Sequence, residues 1–195
     1  MSRPKIAKQR AVFPPGYVVP SPLRALFSVR SARLRAFVFG LVFGLRPSRF
    51  RTYLMAHGAH WSYGELSAGR LDRALDTTAE ECEWVTLGAL ETFRGRDAFR
   101  EGWRWFSEAF PGAQLELREC IDAPGGRFVC LHSFEGEGAT SGIRTAELGP
   151  GVPIQCVYTI RHGMIIRIET FTSKAEALEA VGLSEQDAHA DSSDH

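Results

Sequence analysis

The 195-residue chain is long enough for one ordinary domain plus an appendage, and its hydrophobic share of 44% and charged share of 24% exclude a disordered, collagenous or coiled-coil class. Its zero net charge conceals an asymmetry: the first 51 residues carry 11 of the 23 Lys and Arg and no acid, whereas the remainder carries 12 basic residues against all 23 acids. Four cysteines, Cys82, Cys120, Cys130 and Cys156, have neither CxxC spacing nor His partners, so they read as small buried hydrophobes. No zinc site or cofactor is expected, and a reducing cytoplasmic setting is.

In chain order, Pro4, Pro14, Pro15, Pro20 and Pro22 make the first 22 residues an extended arm. From Leu23 apolar residues recur at spacings of three and four through Leu45, which predicts an amphipathic helix. The apolar run Ala36 to Leu45 is ten residues, half of the about 20 that a membrane span requires. It follows some 35 residues of other sequence and precedes Arg46 and Arg49, so a cleaved signal is not expected either.

Pro47 separates this segment from a second helix over Ser48 to Ser67, stopped by Ala68-Gly69, and a short helix follows near Arg70 to Asp76. Thr78 with Glu81 has capping-box spacing, but Cys82, Trp84 and Thr86 favour a strand there. Ala98 to Phe110 is a helix with Phe99, Trp103, Phe106 and Phe110 on one face, a stripe best read as packing against a sheet. Strands are predicted at 114–121, 127–136, 152–161 and 164–172, joined as an antiparallel meander. A final helix begins at Ser173, which has Glu176 three residues on, and the polar residues 184–195 form a flexible tail. Helices followed by a run of strands imply an α+β domain with helices on one sheet face and a cavity between.

The series LSAGRLDRALD (66–76), Glu83-Trp84, FRGRDAFR (93–100), YTIRHGMI (158–165) and AEALEAVG (175–182) resembles the landmarks of SnoaL-like domains in the nuclear transport factor 2-like superfamily. The resemblance covers about residues 50–183 and implies a cone-shaped fold: a curved antiparallel sheet packed with helices. The division it suggests is a basic arm with an amphipathic helix (1–46), a cone domain (47–183) and the tail (184–195). The superfamily includes isomerases, epoxide hydrolases, dehydratases, polyketide cyclases and members without catalysis, so fold alone does not name a reaction.

A ketosteroid-isomerase-like alignment places Ser62 at the oxyanion-hole Tyr, Thr86 at the general-base Asp and Gln155 at the second oxyanion donor. Thr cannot accept a proton near neutral pH, which disfavours that proton abstraction. An epoxide-hydrolase-like plan puts Thr170 where an Asp is needed, and no Arg-x-Asp stands on the neighbouring strand.

Strand alternation then selects Trp84, Thr86, Trp103, Val129, Leu131, Ser133, Glu135, Gln155, Val157, Ile168 and Thr170 as the cone's wall. In this register Glu135 is the candidate acid or base, with Gln155 and Thr86 orienting a ligand; a one-residue slip would turn Glu135 outward. His132, Phe128, Cys130 and Phe134 fall on the opposite face, which the resemblance implies for pairing two copies. Trp61 and Tyr63 receive no role, and Arg144 in a Gly-rich loop is set aside.

The expected function is binding of a hydrophobic small molecule, with isomerase, cyclase, dehydratase or hydrolase chemistry on it. The alternative is a noncatalytic module recruited by its basic arm. Residues 23–46 could lie on an anionic membrane as a peripheral contact, or dock on the chain's own acidic domain or across a homodimer. Nucleic acid is the weakest partner, since the segment lacks interleaved stacking aromatics and base-reading polar groups.

Overall fold

The structure is a computed structural model, which describes residues 10–14, 17–27, 31–45, 48–86, 91–112, 114–138 and 152–186. Its elements run β1 (Arg10–Val12), α1 (Ser21–Phe27), α2 (Ala32–Gly44), α3 (Arg49–Ser67), α4 (Leu71–Leu75), β2 (Thr78–Val85), β3 (Thr92–Arg94), α5 (Gly95–Ala109), β4 (Gln114–Ala123), β5 (Arg127–Glu135), β6 (Val152–Arg161), β7 (Met164–Phe171) and α6 (Lys174–Ala180). The seven strands form one sheet in the order β1-β4-β5-β6-β7-β2-β3. All neighbours are antiparallel except β2 and β7. The α+β class with a curved sheet is therefore as the sequence implies.

Side-chain chemistry sets the helix starts. Ser31, Ser48 and Ser173 each accept a hydrogen bond from the backbone N–H three residues on, which satisfies one of the free donors of α2, α3 and α6. At α6 the capping-box partner differs from expectation: Glu176 accepts from the Thr172 hydroxyl at 3.1 Å. The single helix expected from Leu23 is two, because α1 begins earlier, at Ser21, and Ser31 starts α2 afresh. Thr78–Val85 is a strand, as the β-favouring residues there predict.

Register shifts leave one extra residue in β4 between Leu117 and Glu119, opposite β5, and one in β7 between Ile165 and Arg167, opposite β6. Such bulges bend a strand and curl the sheet around whatever packs inside it. Helix α3 fills the concave face, burying Met55, Ala56 and Tyr63 against Leu117, Cys120, Phe128 and Cys130. Beside it α5 delivers Phe99 to Leu75, Cys82, Cys156 and Ile168. The aromatic stripe of α5 packs on the sheet, with Phe99 4.8 Å from Trp84 and Phe106 5.4 Å from Phe134 between ring centroids. Helix α6 covers the convex face, where Ala177, Leu178 and Val181 bury Ile121, Val129, Leu131 and Val157.

The N-terminal segment is built into this domain. Strand β1 extends the sheet along β4, and Arg10 reaches Glu119 at 2.5 Å while Lys174 of α6 donates to the same carboxylate at 3.0 Å. Phe13 joins the core under α3, and Val19, Phe27 and Phe39 bury Trp61. At the β6–β7 turn Gly163 takes φ +75, and a Cβ there would lie 2.3 Å from the Cα of Gly40 in α2. The two backbones touch because Gly163 has no side chain.

Candidate ligand site

Helix α3 presents Met55, Ala59, Ser62, Tyr63 and Leu66 to the sheet at spacings of three and four, and these residues wall a cavity of about 80 Å³. The floor comes from Phe128 and Cys130 of β5, Tyr158 and Ile160 of β6, and Ile165 and Ile168 of β7. Phe39 and Phe43 of α2 close another side, and Leu75, Thr77, Thr78 and Phe99 complete it. Among the described residues, no carboxylate, imidazole or cationic side chain lines this space.

Besides the hydroxyls of Ser62, Thr77 and Thr78, its polar groups include a pair of phenols. The Tyr63 and Tyr158 hydroxyls hydrogen-bond to one another across the α3–β6 gap. Burial pushes both phenols well above their ordinary range, so each stays protonated and neutral. Two hydroxyls that share one bond retain a second O–H proton for another acceptor. The thiols nearby are equally unready to ionise: burial raises Cys156 to about 12, and Cys130, 3.7 Å from the Cys120 sulfur, is raised as well. All four cysteines are unpaired and buried, which suits them to packing rather than nucleophilic attack.

His132 sits next to this pair, its ring centroid 4.3 Å from that of Tyr63. Its Nδ1 is 3.0 Å from the Ile154 carbonyl, which can only accept, so Nδ1 carries the proton and Nε2 is a bare acceptor. Nε2 is buried without a hydrogen-bond partner among the described residues. Burial lowers the imidazole pKa to about 3, and the ring is neutral under ordinary conditions.

The predicted site residues divide into three groups. Ser62 and Ile168 do line the cavity. Trp84 and Trp103 pack with Ile168 in the adjoining cluster under α5, and the Trp84 indole N–H donates to Thr170 Oγ1 at 3.0 Å. Val129, Leu131 and Val157 lie on the other side of the sheet, under α6, which reverses the face expected for them. Ser133 shares that parity, and its Oγ accepts from Arg118 Nε at 2.9 Å. Conversely Phe128 and Cys130, expected on a pairing face, form the cavity floor, and His132 packs against Tyr63 beneath α3.

The candidate catalytic set does not come together at the cavity. Glu135 is exposed at the end of β5, opposite Gln114. Gln155 is buried, but its Oε1 accepts from the His132 backbone N–H at 3.1 Å. Thr86 exchanges hydrogen bonds with the Glu91 backbone at 3.0 and 3.1 Å, in a loop beyond β2. Arg144 lies outside the described residues. Tyr63 and Tyr158 were the residues that sequence reasoning passed over; the three-and-four spacing of Met55, Ala59, Ser62, Tyr63 and Leu66 was the available signal for the first.

A family model for SnoaL-like domains matches residues 60–168, more than half of the chain. The chain belongs to the SnoaL-like domain family. No curated protein matches it. Among solved structures, this SnoaL-like chain is similar to a putative SnoaL-like polyketide cyclase from Jannaschia sp. CCS1, at 17% identity and a TM-score of 0.50, over 71% of this chain and 97% of that one. It is similar to Bal32a, from a soil-derived mobile gene cassette, at 18% identity and a TM-score of 0.50, over 62% and 89%. An NTF2-like protein from Burkholderia thailandensis E264 gives 20% identity and a TM-score of 0.50, over 57% and 85%. At these identities the likeness is one of fold, and it establishes the cone, not a substrate.

Within this SnoaL-like domain the family match begins at His60, so β1, α1, α2 and most of α3 precede it. Two of the cavity's aromatic walls, Phe39 and Phe43, therefore come from sequence outside the family match.

Proposed function

We propose that this protein binds a small, mainly apolar molecule in the cavity between α3 and the sheet, with an oxygen of the ligand taken by the Tyr63–Tyr158 pair. The observation that carries this reading is the contrast within the cavity: mainly apolar walls, in which Ser62, Thr77 and Thr78 are the small hydroxyl residues, and two neutral phenols joined to each other at one place. Apolar walls with a few convergent donors are the usual make-up of a small-molecule site. A water needs about 10–15 Å³ on this measure, so the volume corresponds to roughly five to eight waters, room for a compact ring system. Larger occupants require α2 or α3 to shift outward.

Chemistry of the isomerase, cyclase, dehydratase or hydrolase type would use the phenols as hydrogen-bond donors to a ligand carbonyl or to the oxyanion that develops from it. Glu135, Gln155 and Thr86 have no part in this reading, because none borders the cavity.

The test is a panel of cyclic ketones and matching cyclic hydrocarbons, with binding followed by calorimetry and thermal shift on the wild type, Tyr63→Phe and Tyr158→Phe. Ketones should bind the wild type up to about tenfold more tightly than either variant, the worth of one hydrogen bond, while the hydrocarbons bind all three alike. If no ketone binds, or if both variants bind ketones as the wild type does, the reading is wrong.

A further inference from the structure

Helix α2 is apolar on both of its sides, and only one side is covered. Its inner side buries Phe39 and Val42, each 5% exposed, and supplies the Phe39 and Phe43 wall of the cavity. On its outer side Leu34, Phe37 and Leu41 are 47%, 61% and 58% exposed, and Leu45 at its C-cap is 40% exposed. Spacings of three, four and four place these four in one stripe along the helix. In the first turn of α3, Phe50 is 64% exposed. A helix that is apolar all round is normally buried all round, so this stripe lacks a partner.

The charge on the segment that carries the stripe has one sign. Arg24, Arg33 and Arg49 are exposed on α1, α2 and α3, and the β6–β7 turn that touches Gly40 brings exposed Arg161. The chain has no acid before Glu65, and Glu65 is itself buried and held by Arg70 at 2.7 Å and Arg73 at 3.3 Å. We infer that this face seats on an anionic lipid bilayer, with Leu34, Phe37 and Leu41 at the acyl boundary and the arginines on lipid phosphates.

The geometry is that of a helix lying in the interface. Its 13 residues extend about 20 Å, against a hydrocarbon core of about 30 Å. None of the helices among the described residues is long and apolar enough to cross a membrane. A second copy of the chain fits less well, since a two-fold pairing of this stripe sets one arginine rim against another. Docking here puts the cavity one helix away from the bilayer, because the same α2 forms both the stripe and the cavity wall.

The experiment is vesicle co-sedimentation of the full chain, with phosphatidylcholine vesicles and with vesicles of phosphatidylcholine and phosphatidylglycerol. Four arginines at the surface predict up to about a thousandfold preference for the anionic vesicles, falling as salt rises. Phe37→Asp with Leu41→Asp should reduce that binding by more than about tenfold. The milder Phe37→Ser with Leu41→Ser, checked for an unchanged melting temperature, should reduce it in the same direction. Absence of binding to anionic vesicles, or equal binding by the wild type and both double variants, overturns the inference. So does a wild-type dimer that the Ser variant dissociates, which would assign the stripe to a second copy. The outcome does not depend on an occupied cavity, and it therefore stands or falls apart from the ligand reading.

Discussion

Burial holds His132 in one protonation state, and the consequence appears as pH-dependent stability. His132 is 4% exposed with its folded pKa lowered to about 3, whereas an unfolded histidine titrates near 6.5. A lowered pKa means that the unfolded chain binds the extra proton, so stability is complete above about pH 6.5 and is lost as pH falls toward 3. One proton corresponds to about 1.4 kcal/mol per pH unit, on the order of 5 kcal/mol across the whole window. His132→Phe keeps the ring against Tyr63 and removes the titration. Urea titrations between pH 6 and 4 should show its stability falling less steeply than the wild type's by about one proton. Burial also lowers His57 and His60, so a residual slope of the same sign remains in the variant. Arg51 and Asp122 are the complementary case: Arg51 Nη2 lies 3.3 Å from Asp122 Oδ1, their side chains only 9% and 5% exposed, and burial raises the carboxyl while Arg51 opposes the rise. Removing one member of a buried pair leaves a charge without compensation. Arg51→Met should cost about 3–5 kcal/mol at neutral pH, with much of it restored in Arg51→Met/Asp122→Asn, as read from chemical unfolding.

At the scale of elements, one contact decides how α2 lies. Gly163 holds φ +75 with its Cα against Gly40, and a Cβ on it would come within 2.3 Å of the Gly40 Cα and 2.7 Å of its nitrogen. Gly163→Ala must therefore push α2 away and strain the turn, and a loss of at least about 2 kcal/mol is expected. The reverse substitution behaves differently. A Cβ on Gly40 meets Gly163 Cα only at 3.8 Å, an ordinary contact, so Gly40→Ala should be neutral or stabilise the protein by up to about 1 kcal/mol through helix propensity. Thermal melts of the two variants side by side check the asymmetry. The sequence reading located α3 to within one residue of its start, the four long strands and the Ser173 cap, since these rest on local periodicity and capping chemistry. It reversed the faces of β5, where Phe128, Cys130 and Phe134 alternate with Val129 and Leu131. A strand covered by α3 on one side and α6 on the other carries apolar residues at both parities, and alternation then holds no information about which face is which. With the faces reversed, the phenol pair was hidden and Glu135 appeared to point inward. Strands β1 and β3, three residues each, pair through backbone groups and give no pattern to read.

Taken whole, the molecule does not separate where its charge does. The basic first 46 residues and the acidic remainder share a core: Phe13, Val19, Phe27, Phe39 and Val42 are between 1% and 8% exposed, and all lie before Arg46. Burying a large apolar side chain contributes about 1.5–3 kcal/mol, so these five amount to roughly 7–15 kcal/mol as an upper bound. Typical domains have net stabilities of about 5–15 kcal/mol, the same size as the contribution at stake. Deleting residues 1–46 would also bare Trp61, remove β1 from the edge of β4, and open the cavity wall formed by Phe39 and Phe43. The truncated chain should accordingly lose cooperative unfolding and its near-ultraviolet circular dichroism while keeping much of its far-ultraviolet signal, and it should expose apolar surface to a hydrophobic dye. A truncated chain that melts cooperatively within a few degrees of the full-length protein would mean that the segment is an appendage on an independent cone. Cooperative loss would mean that the cone of this protein is completed by residues that precede the family's own boundaries, and that a helix able to face a membrane is part of its wall.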